Sequence, residues 1–490
     1  MAKMSGFLFG LIVLIGAVGC GGGSSTPAPT PTPTPTSQIF PNDESLAQSA
    51  PVKLGTSGGN ANDLGTTVCC IGTLGSLWTK TGVTRPVILS NNHVLDRSGN
   101  GAAGEAINQP LQLACTPKTS PPPLTVALLT QGASLKPVAN VPGACGNPAP
   151  SPLCGPSPSN VDAAIAEIAP GQVDLTGTIL DLGPVGATSI AAQPPSSTIG
   201  TPALSQGVGK SGRTTGLTCS TITSLSASIQ VNYEAKCGDA SPAFTSIFTN
   251  QIVINGGTFS GGGDSGSLVV TTDTARPIGL LYGGNTTTTV ANPISDVIAA
   301  FGGSGAFTIV GGADHPVSCA HTATASSTQV GTAQAALVPQ ERQRVTAVQQ
   351  RRAAQLLQDS SITSVTVSAS ADNPNEGALL IQVSGSTIPR VPSTIDGVRT
   401  RLVFDEAAGA VIPSAGKQEV DRAIAVKEEH VSSLMGQPGI QGVGVSLSVD
   451  NPTEAAVSIY LVKGISHQPI PAVIDGVRTR IFEGERFKAF

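Results

Sequence analysis

Charged residues make up only 12% of this 490-residue chain, 26 Lys+Arg against 31 Asp+Glu, for a formal net charge of −5. Without a basic excess there is no electrostatic footprint for nucleic acid. Histidine is scarcer still, at positions 93, 315, 321, 430 and 467. No Cys-x-x-Cys occurs and no histidine stands at ligand spacing from a cysteine pair, so neither a metal nor another cofactor is expected. The opening apolar run, in MAKMSGFLFGLIVLIGAVGC, is too short for a comfortable bilayer span. What is present is 39% hydrophobic residues, enough for cores in roughly two to four domains. Gly (58) and Pro (38) favour short strands and loops over helices in the first part of the chain.

The opening run has signal-peptide length. Its end, AVGC, resembles the lipobox of bacterial lipoproteins, which implies a signal peptide over 1–20 and lipidation of Cys20. An ordinary cleaved signal with a chance cysteine is the rival reading. Residues 21–50 begin with a Gly/Ser piece and continue as a Pro-Thr repeat, an extended spacer that holds a domain off a surface. Gly21 replaces the Asp that retains such lipoproteins at the inner membrane, so the expected address is the outer membrane of a bacterial envelope. Apart from Cys20, eight cysteines remain, an even number that in an exported protein reads as up to four disulfides. Cys219 and Cys237 flank STITSLSASIQVNYEAK, which reads as a hairpin, so a disulfide between them is expected.

The stretch NGGTFSGGGDSGSLVV, residues 255–270, sets one Asp-Ser pair among glycines. Glycine costs about 0.5–1 kcal/mol in a regular element, so such a run needs a local reason. A turn whose N–H groups converge on one spot is such a reason, and it would put Ser265 beside an anion hole. A serine needs a base. Of the histidines only His93 precedes it, where the apolar stretch of RPVILSNNHVLD ends in a polar turn. A base also needs an orienting carboxylate, and Asp162 heads the apolar NVDAAIAEI. An Asp that merely caps a turn is the plainer reading. The order His93, Asp162, Ser265 with gaps of 69 and 103 residues favours a single site.

ILSNNHVL, VDAAIAEI and GGGDSGSLVV resemble the three signature segments of chymotrypsin-like serine proteases. GKSGRTTGLTCSTIT, from residue 209, is similar to a segment of their secreted bacterial branch, the lytic-protease and streptogrisin relatives. FSGGGDSGSLVV with PIGLLYGGNTTTTVANPI resembles trypsin-like peptidases of the leaf-shape-regulator type. The resemblance covers roughly residues 55–305 and implies an all-β protein of two antiparallel β-barrels, with the site between them. It implies Ser265 as nucleophile, His93 as base and Asp162 as its orienter, with the N–H groups of Gly263 and Ser265 as oxyanion hole. Counting back from Ser265 sets Phe259 at the base of the specificity pocket, with Gly283 and Gly284 on the wall that pairs with substrate; no acid is there, so apolar or small side chains are expected. The resemblance also implies that Lys210 pairs with Asp264 and holds the oxyanion turn. SNNHV in place of Thr-Ala-Ala-His, and Ser267 where the commonest pattern has proline, are departures that remove no catalytic atom.

The remainder differs. Of the 26 Lys+Arg, 15 fall in residues 332–490, and IDGVRTR at 395 returns at 474, a period of 79. Each copy follows a helical pattern, so two small α+β modules are expected. The basic VRTR could meet an anionic surface, but a solvated strand face is the plainer reading. The expected organisation is a signal over 1–20, a linker over 21–50, a protease domain over 51–311, a linker over 312–335, and repeats over 336–412 and 413–490. Two functions stay open: a surface-anchored endopeptidase acting on protein or peptide substrates, and a catalytically silent envelope-binding lipoprotein. Oligomeric state is not legible.

Overall fold

A computed structural model describes residues 43–63, 71–110, 123–135, 137–138, 161–186, 189–234, 242–319, 337–384, 388–404 and 414–490. Cys20, the signal peptide, Cys237, and all but residues 43–50 of the 21–50 linker lie outside the described residues.

The first strands are β1 (Thr56–Asn60), β2 (Gly72–Leu74), β3 (Ser76–Lys80), β4 (Val87–Ser90), β5 (Ala106–Gln109), β6 (Leu124–Gly132), β7 (Pro137–Val138) and β8 (Ala164–Ile168), with one helical turn, α1 (Asn92–Leu95). The next are β9 (Gly207–Gly212), β10 (Gly216–Glu234), β11 (Pro242–Asn255), β12 (Leu268–Thr271), β13 (Pro277–Gly284) and β14 (Thr288–Pro293), then α2 (Ile294–Ala300) and β15 (Phe307–Ile309). One sheet has the order β15-β3-β4-β8-β6-β5-β1-β2. Its β2 and β3 are a single run bent at Gly75, so the sheet curls back on itself. In a second sheet β10, β9, β12, β13, β14 and β11 follow one another, and β10 also pairs β11, which closes a ring of six strands. The apolar runs noted in the sequence explain the burial: Val87, Ile88 and Leu89 of β4 and Ala164, Ile165 and Ala166 of β8 are fully buried, as are Leu280, Leu281 and Tyr282 of β13. Trp78 stacks on Phe307 at 4.5 Å between ring centroids, fastening β15 to β3.

Cys219 is bonded to Cys319, not to Cys237. The expected hairpin fails because residues 216–234 form one unbroken strand, β10. At about 3.3 Å per residue, the run of β10 from Cys219 to Glu234 extends up to roughly 50 Å. Cys319 reaches Cys219 from the segment after β15, across a sequence separation of 100, with the Cα atoms 5.7 Å apart.

The chain continues as α3 (Pro339–Leu356), β16 (Ile362–Ala369), β17 (Gly377–Val383), β18 (Thr394–Ile395) and β19 (Val398–Phe404). The same order returns as α4 (Lys417–Met435), β20 (Ile440–Leu447), β21 (Ala455–Val462), β22 (Val473–Ile474) and β23 (Val477–Gly484), after which comes β24 (Lys488–Ala489). Buried Ala423, Lys427, Val431 and Leu434 of α4 recur every three or four residues, the stripe that seats a helix on a sheet. The basic strand is not a solvated face. Arg399 and Arg478 are each 1% exposed. Arg399 pairs with Glu376 at 2.7 Å and donates to the Thr479 carbonyl, while Arg478 pairs with Glu454 at 2.5 Å and donates to the Thr400 carbonyl. Each arginine therefore ties one copy of the repeat to the other, and the pairing offsets the cost of burying a guanidinium. Strand β20 also pairs antiparallel with β10, so the second copy's sheet is continuous with the second sheet.

Candidate active site

His93 and Asp162 meet because of strand register. Ser90, the last residue of β4, lies opposite Ala164, the first of β8, in an antiparallel pair. Three residues past Ser90, on α1, is His93, and two before Ala164 is Asp162. The histidine Nδ1–H donates to Asp162 Oδ2 at 2.6 Å and the His93 backbone N–H donates to Oδ1 at 3.2 Å. Asp162 is fully buried, and Tyr233 Oη donates to the same Oδ2 at 2.7 Å. Asn91 and Asn292 side chains hold the Asp162 main chain. Burial is the strongest influence on His93 and favours a neutral ring. The Asp162 charge, its hydrogen bond and the Phe490 carbonyl together outweigh it, and the pKa lies above the ordinary histidine value. Burial and the Asp162 charge push the Tyr233 phenol well above its usual range, so it stays a donor.

Ser265 lies in the turn between β11 and β12. Gly263 has φ +100°, a conformation that glycine takes without strain. The Gly262 carbonyl accepts from Thr214 Oγ1 at 2.6 Å, and the Asp264 carbonyl accepts from Ser267 Oγ at 2.6 Å. In trans peptides the N–H groups of Gly263 and Ser265 therefore point the opposite way. Neither meets a protein acceptor among the described residues. Thr73, on β2, donates its N–H to the Ser265 carbonyl at 2.7 Å and its hydroxyl to the Gly263 carbonyl at 2.9 Å, tying the turn to the first sheet. Gly75 allows that approach: a Cβ there would sit 1.9 Å from the Gly266 carbonyl oxygen.

Asp264 is fully buried and accepts from the Gly261, Thr214 and Thr215 N–H groups and from Thr215 Oγ1. Lys210, on β9 and equally buried, places Nζ 3.7 Å from Asp264 Oδ2 and donates to Thr215 Oγ1 and the Gly216 carbonyl. Burial pushes the Lys210 pKa below the ordinary lysine value, opposed by the charges of Asp264 and Glu44. Phe259 is buried in an apolar cluster with Ile254, Leu281 and Ala291, and Lys210 Nζ lies 5.8 Å from its ring centroid. Gly283 and Gly284 end β13.

Ser265 Oγ does not donate to His93; it donates to the Tyr282 carbonyl at 3.1 Å. His93 Nε2 instead meets the Phe490 carbonyl at 3.1 Å. Sequence reasoning missed Tyr233, Thr73 and Thr214. No local pattern marks them, since each acts on a residue between 48 and 190 positions away.

No family model matches the chain, and no curated protein matches it. Among solved structures, a glutamic-acid-specific serine protease that uses a histidine triad in substrate binding is 17% identical, covering 53% of this chain and all of its own, with a TM-score of 0.32. Thermobifida fusca protease A is 15% identical over 53% of this chain and 98% of its own, at a TM-score of 0.31. The Nocardiopsis protease is 14% identical over the same shares, at 0.32. At this level of likeness, the chain's own geometry carries the functional reading.

Proposed function

We propose that the chain is a serine endopeptidase that cleaves peptide bonds through Ser265, His93 and Asp162. The observation that carries this reading is the buried Asp162 held 2.6 Å from His93 Nδ1, with a second donor, Tyr233, on the same oxygen. That arrangement fixes the ring with Nε2 outward and stabilises the positive charge it gains on taking a proton. Ser265 would attack the scissile carbonyl, His93 would take its proton and pass it to the leaving amine, and water would then release the acyl group. The free N–H groups of Gly263 and Ser265 would meet the oxyanion, a contribution of about 2.7–4 kcal/mol per donor. Lys210 and Asp264 would keep the turn in shape. Phe259, Gly283 and Gly284 would line the pocket and the substrate-pairing wall. Export with lipidation at Cys20, an outer-membrane address and the Pro-Thr spacer would place this activity at the cell surface.

The silent-binder alternative draws on Ser265 Oγ donating to Tyr282 rather than to His93. Hydrolysis of an unstructured protein such as casein separates the two. Wild type should cleave it, and Ser265→Ala and His93→Ala should each lose the activity while unfolding at unchanged urea concentrations. Equal turnover in wild type and both variants would remove the triad.

A further inference from the structure

The segment Phe487–Phe490 lies along β13 beside His93. Lys488 and Ala489 pair antiparallel with Gly284 and Gly283 of β13. The Phe490 N–H donates to the Tyr282 carbonyl at 3.3 Å, the same oxygen that takes the Ser265 hydroxyl. The Phe490 carbonyl sits 3.1 Å from His93 Nε2. The Phe490 ring packs on the apolar cluster that contains Phe259, close enough that a Cβ on Gly284 would come within 2.8 Å of its Cζ. On the other edge Lys488 pairs with Asn232 of β10, and the Asn232 N–H donates to the Phe487 carbonyl at 3.0 Å. Phe487 is 1% exposed in a cluster with Tyr233, Tyr282 and Tyr460, and its N–H donates to Gln441 at 3.0 Å. Gln441 belongs to β20, the strand that joins the second repeat to β10.

Resting on the endopeptidase reading, we infer that this site selects a large apolar or aromatic residue directly before the cleaved bond. We infer also that the chain's own Phe487–Phe490, delivered by the second repeat, occupies that site and restrains the enzyme. The order of contacts fits residues on the acyl side of a scissile bond: Phe490 beside His93 and Ser265, Ala489 and Lys488 along the β13 wall, Phe487 in a separate apolar seat. The cluster on which the Phe490 ring packs is composed of Val, Ile, Leu, Phe and Ala. A carboxylate or ammonium set against that apolar face would lose its hydration without a hydrogen bond from the face in return. The occupant also disarms the base. With Asp162 accepting at Nδ1 and a carbonyl accepting at Nε2, both ring nitrogens are donors, so the ring holds the proton that it would otherwise take from Ser265.

The test compares the full chain with one lacking residues 485–490. The labelled peptide Glu-Arg-Phe-Lys-Ala-Phe should bind the shortened chain at least about tenfold more tightly than the full chain, because a tethered segment competes at millimolar effective concentration. Replacing the peptide's last Phe by Glu or Lys should weaken binding at least about tenfold. The shortened chain should hydrolyse Lys-Ala-Phe anilide at least about tenfold faster than the full chain, and at least about a hundredfold better than the Glu or Lys counterparts. Equal binding and equal hydrolysis by the two chains would overturn the occupancy, and a preference for Glu or Lys would overturn the pocket assignment. Selective peptide binding with no hydrolysis by either chain would sustain the occupancy and remove the endopeptidase reading. Should the shortened chain fail to fold, Phe490→Asp in the full chain gives the same comparison, since its carboxylate cannot occupy the apolar pocket.

Discussion

Replacing Lys210 by Met separates a charge that holds the turn carrying Gly263 and Ser265 from one that merely stands nearby. Lys210 Nζ is 3.7 Å from Asp264 Oδ2, with both side chains fully buried. At an effective dielectric of 20 that attraction is about 4 kcal/mol. Asp264 keeps four other donors in the variant, from Gly261, Thr214 and Thr215, and methionine brings no charge to desolvate. These return part of the loss, leaving roughly 2–3 kcal/mol, somewhat less than the 3–5 kcal/mol of a buried charge stripped of its only partner. Because the loss falls on the turn that carries Gly263 and Ser265, kcat/KM should drop about 30- to 150-fold. Arg213→Met is the control. Its Nη1 donates to Thr214 Oγ1 at 3.1 Å, but that hydroxyl keeps its own bond to the Gly262 carbonyl, so the loss should stay near 1 kcal/mol or below. Urea unfolding and the rate of labelling by a fluorophosphonate read both effects. Equal losses below about 1 kcal/mol in the two variants would refute the assignment of the turn to Lys210.

Tyr233→Phe removes a donor from Asp162 Oδ2, leaving its charge less shared. The His93 pKa should rise further and the acid limb of the pH-rate profile should move to higher pH; an unmoved limb would show that the phenol is only packing. Glu44, fully buried beside Asp181, has its pKa pushed up to about 8, first by burial and then by the neighbouring carboxylate. A carboxyl whose folded pKa is raised stabilises fully below its unfolded value of about 4.5 and loses that contribution as pH climbs through 8. The melting temperature should therefore fall between pH 5 and 8, and Glu44→Gln should flatten the slope; an unchanged slope would place the titration elsewhere. Non-reducing peptide mapping should recover Cys219 joined to Cys319, and Cys319→Ser should cost about 4–5 kcal/mol for a loop of 100 residues. Recovery of Cys219 joined to Cys237 would contradict the described strand.

His93 and Asp162 were legible as partners from their order, their spacing and the resemblance of their segments, and the antiparallel pairing of β4 with β8 is what brings them together. The tight turn that carries Ser265 was legible because glycines so dense have few structural uses. The approach of Lys210 to Asp264 was legible only through the resemblance of GKSGRTTG to the bacterial branch, and the cost of a lone buried carboxylate gives it a physical reason. The rest depends on contacts between distant segments that no short pattern encodes. The cysteine pairing turned on β10 being one long strand rather than a hairpin. The arginines of IDGVRTR looked solvated because their partners, Glu376, Glu454 and the threonines of the opposite copy, are supplied by the docking of the two repeats. Phe490 meets His93 across 397 residues, and nothing in FKAF announces it.

Localising a fluorophosphonate adduct by peptide mass spectrometry tests the central claim most directly. The reagent is applied to the full chain and to the chain lacking residues 485–490. A single adduct on Ser265, faster in the shortened chain and absent after His93→Ala, is the expected result. Adducts scattered over other serines, or none on Ser265 in either chain, would contradict a nucleophile activated by His93 and Asp162.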